Sequence, residues 1–163
     1  MPTLEWSDEL VLGLAPMDAT HEEFVSSYQA LAGASPEDFL ARMDDFVAHC
    51  DAHFDQENRW MEAVSFPGCH RAEHDRVLEV LRDVRRHVAG GDAFLGRRLV
   101  EELPAWFENH ANGMDAALVF HLDSIGYDVV TGTQRVTTSS GGDTAPSSSP
   151  CACATPTPVE STV

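Results

Sequence analysis

The chain has 163 residues, of which 10 are basic and 27 are acidic, so its formal net charge is −17 at pH 7. This acidity argues against binding to nucleic acid or an anionic membrane, and the absence of Lys excludes Schiff-base chemistry and Walker-type phosphate loops. No apolar run approaches the roughly 18 residues of a membrane helix, and residues 1–13 lack the features of a secretory signal, so we expect a cytoplasmic protein.

The first half of the chain predicts an irregular N-terminal arm followed by two helices. Asp18 is a candidate cap for the first helix, which ends near Gly33. Ser35-Pro36 combines a cap residue with a proline at the first helical position, and apolar residues follow it at helical spacing. This pattern predicts a second helix that continues to about Ala63.

The second half predicts two more helices. Apolar residues at helical spacing across 77–88 indicate a third helix, which Gly90-Gly91 ends. The fourth runs from Asp92 to about Leu122, and Pro104 inside it predicts either two helical pieces or one kinked helix. No alternating strand pattern is present. The fold class is therefore all-α, an antiparallel four-helix bundle with up-down-up-down topology.

The end of the chain differs in composition from the rest. Across residues 131–163, 21 of 33 residues are Gly, Pro, Ser or Thr. Such a segment buries too little apolar surface to offset the entropy lost on ordering. We therefore expect a folded unit over residues 1–130 and a disordered tail over 131–163. The composition does not indicate a binding partner for this tail.

Each predicted helix carries polar residues of the metal-ligand type where a bundle core would normally be apolar. These residues are His21, His53, Glu57, His70, His74, His110 and Asp115. Residues four apart lie on one face of a helix, so His53 pairs with Glu57, and His70 pairs with His74. One such pair would be compatible with scattered core histidines, but three spaced pairs on separate helices indicate a shared site.

The third pair, His110 and Asp115, is separated by five residues instead of four. On an ideal helix, five steps of about 100° leave the two side chains about 140° apart. We therefore expect either a local widening of the helix near Gly113 or an Asp115 side chain that reaches sideways.

The composition of this set points to the kind of metal. Five imidazoles and two carboxylates are too many for one tetrahedral ion but suit two adjacent octahedral ions. Nitrogen donors combined with hard oxygens and no thiolate favour iron, with manganese or zinc as weaker candidates.

With these motifs in place, the sequence resembles the hemerythrin family, specifically its single-domain bacterial members. The resemblance covers about residues 4–127. It is carried by Trp6, Gly13, Asp18-Ala-Thr-His21, His53-Phe-Asp-Gln-Glu57 through Met61, His70-xxx-His74 and Trp106-Phe-Glu-Asn-His110-xxxx-Asp115.

The resemblance implies two iron ions that cycle between Fe2+ and Fe3+ and share an oxo or hydroxo bridge, with O2 as their ligand. One iron would be held by His70, His74 and His110, and the other by His21 and His53. Both Glu57 and Asp115 would bridge the two ions. Counted this way, the first iron has six donors and the second has five, which leaves one position for O2.

The resemblance also implies an apolar pocket around the metals. Phe107 and Ala111 stand where the family usually has Leu and Ile, and would line the O2 pocket. Phe54 and Trp106 would contribute to the dry shell around the metals. Asn58 follows Glu57 where an acidic residue is common, and we expect it to face away from Glu57 with little consequence.

The function that this implies is reversible O2 binding for storage, delivery or buffering. Only two carboxylates donate to the metals, compared with four in ferritin-like sites, which disfavours the high-valent iron needed to oxidise substrates. The alternatives are a di-iron peroxidase, an oxidase that scavenges O2 or NO, and a module that senses O2 or redox state.

Overall fold

A computed structural model describes residues 3–136. Its main helices are α1 (Ala15–Ala32), α2 (Phe39–Ala63), α3 (Cys69–Ala89) and α4 (Ala93–His110). A π-helical turn (Ala111–Asp115) joins α4 directly to α5 (Ala116–Ser124). Helices neighbouring in sequence pack on each other, and α1 packs on α4 to close the bundle. The predicted four-helix bundle is confirmed.

Two short segments flank the bundle. Before α1, an arm with one 3-10 turn (Asp8–Leu10) buries Leu4 and Leu10 against the large apolar cluster of the bundle. After α5, β1 (Tyr127–Asp128) and β2 (Thr133–Gln134) pair as an antiparallel hairpin. The hairpin thus extends into the segment assigned to the tail from composition, and the rest of that predicted tail, residues 137–163, lies outside the described residues.

Two helices begin at different residues from those that the cap motifs predict. Helix α1 begins at Ala15, and the Asp18 carboxylate accepts hydrogen bonds from the backbone N–H groups of Leu12 and Gly13. Asp18 therefore ties the arm to α1 and does not cap the helix. Helix α2 begins at Phe39, after a turn in which the Ser35 hydroxyl accepts from an N–H.

Helix α4 is continuous through Pro104, so the two-piece alternative does not occur. Proline has no N–H, which leaves the carbonyl four residues earlier without its helical partner. That carbonyl belongs to Val100, and it accepts a hydrogen bond from the Tyr28 hydroxyl of α1 at 3.1 Å. A side chain from the neighbouring helix thus replaces the hydrogen bond that the proline removes.

The apolar core forms two clusters along the bundle, with a polar layer between them. Along α1, Met17 belongs to the smaller cluster, Phe24 belongs to the larger one, and His21 lies between them. Along α2, Glu57 likewise lies between Phe54 of the larger cluster and Trp60 of the smaller one. The polar layer is therefore enclosed by apolar packing on both sides.

Candidate metal centre

Seven buried polar side chains meet in this layer. They are His21 of α1, His53 and Glu57 of α2, His70 and His74 of α3, His110 at the end of α4, and Asp115 at the end of the π-helical turn. All seven are at most 5% exposed. The structure therefore brings together every residue that the sequence predicts as a metal ligand.

Two of the pairs meet because they lie four residues apart on regular helices. On α2, His53 Nε2 lies 2.8 Å from Glu57 Oε1. On α3, the His70 and His74 rings are 4.5 Å apart between centroids. Both pairs thus face the interior with the geometry that their spacing predicts.

The third pair meets because the helix widens between its members. Residues Ala111–Asp115 form a π-helical turn, in which backbone hydrogen bonds join residues five apart. The wider turn brings Asp115 back to the face of His110, whose Nε2 lies 3.1 Å from Asp115 Oδ1. The predicted widening near Gly113 is confirmed.

The two carboxylates each face two groups of imidazoles. Glu57 Oε1 lies 2.8 Å from His53 Nε2 and 3.7 Å from His21 Nε2. Its other oxygen, Oε2, lies 3.3 Å from His74 Nε2 and 3.6 Å from His70 Nε2. Glu57 thus lies between the His21–His53 group and the α3 histidines.

Asp115 divides its oxygens in the same way. Its Oδ2 lies 3.2 Å from His21 Nε2, while its Oδ1 lies 3.0 Å from His70 Nε2 and 3.1 Å from His110 Nε2. The imidazoles therefore fall into one group of two and one group of three, and both carboxylates contact both groups.

Several donor atoms of this layer have no hydrogen-bond partner within residues 3–136. They are Glu57 Oε2, both carboxylate oxygens of Asp115, and His21 Nε2. In addition, His110 Nε2 lies 3.3 Å from His70 Nε2 and 3.1 Å from His74 Nε2. Buried polar atoms are rarely left unpaired, and lone pairs directed at one another are stabilised by a cation between them. The donor set fits a metal site.

Without a cation, the carboxylates favour the protonated forms of His21 and His110. Burial lowers the pKa of His21, but the carboxylates of Asp115 and Glu57 outweigh burial and raise this pKa to about 9. Burial opposes ionisation of Glu57 and Asp115, yet the surrounding imidazoles hold the pKa of both carboxyls well below its usual range. Metal binding must therefore displace protons from this layer.

This charge arrangement predicts how the stability of the metal-free protein depends on pH. The folded pKa of His21 lies above its ordinary value of 6.5, so its stabilising effect is complete below pH 6.5 and is lost as pH rises toward 9. His110, whose pKa is also raised, acts in the same direction. We expect the free energy of unfolding to fall between pH 6.5 and 9, by up to about 1.4 kcal/mol per pH unit for His21, with a further contribution of the same sign from His110.

Urea unfolding of the chelator-treated protein at several pH values measures this slope. Zinc-loaded protein is the control, because a metal on Nε2 of His21 removes the proton site and with it the slope. A metal-free protein whose stability stays constant from pH 6.5 to 9 would contradict the charge arrangement.

Comparison with known proteins agrees with this geometry. Residues 12–119 match the Hemerythrin HHE cation binding domain. The chain belongs to the hemerythrin family. A bacteriohemerythrin from Ralstonia nicotianae is 49% identical over 130 residues, which cover 78% of this chain and 95% of that protein. A bacteriohemerythrin from Stenotrophomonas maltophilia is 28% identical over 124 residues, which cover 72% and 80%. No solved structure is significantly similar to the chain.

In this hemerythrin domain, aromatic rings pack directly against the candidate ligands. Phe54 stacks on His74 with 4.2 Å between centroids and 6° between planes, and Trp106 lies over His110 at 4.8 Å and 21°. The edge of Phe107 meets the ring of His21 at 5.2 Å. These rings restrict the rotation of the imidazoles and shield them from water.

The aromatic rings around Phe107 lie beside the pair of imidazoles formed by His21 and His53. Phe24 stacks on Phe107 at 4.1 Å and also lies against His53, with 6.1 Å between those centroids. Ala111 follows Phe107 by one helical turn and is fully buried. The structure thus places the predicted pocket residue Phe107 beside His21, within a wall that Phe24 completes, and Ala111 belongs to the same buried apolar cluster as Phe107.

Two polar residues support candidate ligands in ways that the sequence does not reveal. The Trp106 indole donates a hydrogen bond to Glu73 at 3.0 Å, and Arg76 together with this contact holds the pKa of the Glu73 carboxyl near 2 despite its partial burial. Asn58 hydrogen-bonds His74 at 3.0 Å. Asn58 therefore contacts a candidate ligand, which the expectation of little consequence did not anticipate. Both contacts join different helices, so spacing within one helix does not predict them.

Within residues 3–136, every helix is too short or too polar to cross a lipid bilayer.

Proposed function

We propose that this hemerythrin domain binds O2 reversibly at a pair of iron ions held in the polar layer. His70, His74 and His110 would hold one ion, and His21 and His53 would hold the other. Glu57 and Asp115 would bridge them, together with an oxo or hydroxo group derived from solvent. When bound, two ferrous ions supply the electrons and the open coordination position that reversible O2 binding requires.

The observation that carries this proposal is the division of both carboxylates between two groups of imidazoles. A carboxylate that serves one metal directs its oxygens toward one set of donors. Here Glu57 and Asp115 each direct one oxygen toward His21, while the other oxygen meets the imidazoles of α3 or α4. This arrangement supports two adjacent metal positions rather than one.

The two groups of imidazoles differ in size, and this difference supports an open coordination position at the metal beside the smaller group. Three imidazoles serve the first metal position and two serve the second, while both carboxylates contribute to each. The second position, beside His21 and His53, therefore has one protein donor fewer. Phe107 and Phe24 cover this side with apolar rings, a surrounding that admits a small apolar ligand and excludes water.

The donor set favours binding over oxidation of a substrate. Two carboxylates supply only two negative charges, so high-valent iron gains little stabilisation here. The rings beside His21 are hydrocarbon, and neither Phe24 nor Phe107 can donate or accept a proton as acid–base catalysis requires. The two rings beside His21 thus supply an apolar wall that offers O2 no group for proton transfer.

Visible spectroscopy of the iron-loaded, reduced protein tests this function. The expected result is a charge-transfer band that appears when air is admitted, disappears under vacuum and returns with O2, in a protein containing two irons per chain. Irreversible bleaching with turnover of added peroxide would instead support the enzymatic alternative. An iron content far below two per chain, or zinc alone, would contradict the di-iron assignment.

The two unusual pocket residues should alter the lifetime of the O2-bound form. Replacing Phe107 with Leu leaves space beside His21 that water can enter, so we expect autoxidation to become several-fold faster. Replacing Ala111 with Ile fills the pocket and should slow both autoxidation and O2 escape. The rates are measured from the decay of the visible band in air and from stopped-flow release of O2.

Phe120→Leu is the matched control, because Phe120 lies on α5 with 77% of its surface exposed. Wild-type rates in both the Phe107 and the Ala111 variants would show that these residues do not line the pocket.

A further inference from the structure

One candidate ligand is held by a side-chain amide from a neighbouring helix. Asn58 of α2 and His74 of α3 are joined by a hydrogen bond of 3.0 Å between Asn58 Oδ1 and His74 Nδ1. The corresponding Nδ1 atoms of His21, His53, His70 and His110 are buried and have no hydrogen-bond partner among the described residues. His74 therefore differs from the other four imidazoles in having its outer nitrogen held.

The position of the His74 ring determines which nitrogen carries the proton. Its Nε2 faces the metal layer, 3.3 Å from Glu57 Oε2 and 3.1 Å from His110 Nε2. A neutral imidazole has one N–H, and the amide oxygen of Asn58 accepts that N–H at Nδ1. The lone pair of Nε2 is then directed at the metal position, as a ligand requires.

The chemical nature of the acceptor also matters. A carboxylate at position 58 would form a stronger, charge-assisted hydrogen bond and would draw the Nδ1 proton toward itself. The imidazole would then donate more negative charge to the metal and stabilise its oxidised state. The amide of Asn58 is neutral, so it orients the ring without this added donation.

We propose that Asn58 is a positioning residue that orients His74 for metal binding and, being neutral, helps to keep the bound iron reduced. This inference rests on the proposed role of His74 as a ligand. It assigns to Asn58 two separable effects, one on metal affinity through the hydrogen bond and one on reduction potential through the absence of charge.

Two substitutions separate these effects. Asn58→Leu removes the acceptor at similar volume, whereas Asn58→Asp keeps an acceptor and adds a negative charge. The matched control is Asn109→Asp, which makes the same chemical change at an exposed residue directly before His110. Circular dichroism of each full-length variant establishes that it is folded.

The first measurements use metals other than iron. We expect Asn58→Leu to weaken Co2+ binding to the metal-free protein by about 10- to 100-fold, as loss of a supporting hydrogen bond does. In the zinc-loaded wild type, NMR should show a slowly exchanging Nδ1–H on His74, and this signal should be absent from Asn58→Leu. Asn58→Asp, which keeps an acceptor, should retain both the Co2+ affinity and the Nδ1–H signal of His74 that Asn58→Leu loses.

The second measurement uses the iron-loaded protein. Asn58→Asp should have a lower reduction potential and faster autoxidation than the wild type, while Asn109→Asp should match the wild type in both. Wild-type Co2+ affinity in Asn58→Leu, or a wild-type potential in Asn58→Asp, would overturn the inference. Failure of the wild type itself to bind two metals would instead refute the proposed function, so the two failures are distinguishable.

Discussion

Replacing Glu57 with Gln is expected to abolish binding of the metal pair. The substitution keeps the size of the side chain but removes the charge of a carboxylate whose oxygens face His21, His53, His70 and His74. Both proposed metal positions would lose a donor at once, so the loss of affinity should exceed the roughly 10- to 100-fold that follows from loss of a supporting hydrogen bond. Metal analysis after iron loading and a Co2+ titration measure this effect.

Glu62→Gln provides the matched control for this substitution. Glu62 lies on the same helix, α2, but is exposed, so the same chemical change leaves the metal layer intact. We expect wild-type metal content in this variant. A Glu57→Gln protein that still holds two metals with wild-type affinity would contradict the proposed bridging role of Glu57.

Replacing Phe24 with Ala is expected to reduce both stability and the lifetime of the O2-bound form. Phe24 is fully buried and stacks on Phe107 at 4.1 Å, with its ring also 5.1 Å from that of Phe46. Truncating a buried Phe in this way costs about 3–5 kcal/mol, because the transfer energy is lost and a cavity remains. The cavity would adjoin Phe107 and His53, so water gains access to the proposed open position and autoxidation should accelerate.

Urea unfolding of the metal-free protein and decay of the visible band in air measure the two effects separately. The control is Phe94→Ala on α4, since 75% of the Phe94 surface is exposed and the expected change in stability is within about 0.5 kcal/mol. A Phe24→Ala protein that is destabilised but autoxidises at the wild-type rate would show that this ring does not belong to the proposed O2 pocket.

The candidate site could largely be predicted because its pattern is local. His53 with Glu57, and His70 with His74, lie four residues apart, and a helix places such residues on one face whatever surrounds it. The five-residue spacing of His110 and Asp115 conflicts with a regular helix, and this conflict itself predicts the π-helical turn (Ala111–Asp115). The four helices follow from the same periodicity of apolar residues.

Helix starts were less predictable than helix faces. Asp18 and Ser35 are residues that commonly cap helices, but in this structure both hydrogen-bond to backbone groups of the preceding arm or turn. The same side-chain oxygens satisfy either role, so residue type alone does not distinguish a cap from a turn.

The amino-acid sequence was sufficient for the four helices, for the set of residues that face inward, and for the chemistry of that set, since each depends on spacing within one helix. The tertiary structure was needed to show how each carboxylate divides its oxygens, that Asn58 holds His74, and that Tyr28 satisfies the carbonyl that Pro104 leaves free. These contacts join residues distant in the chain. They depend on how far each helix is rotated about its own axis and shifted along its neighbours, and the packing of the whole core sets both quantities.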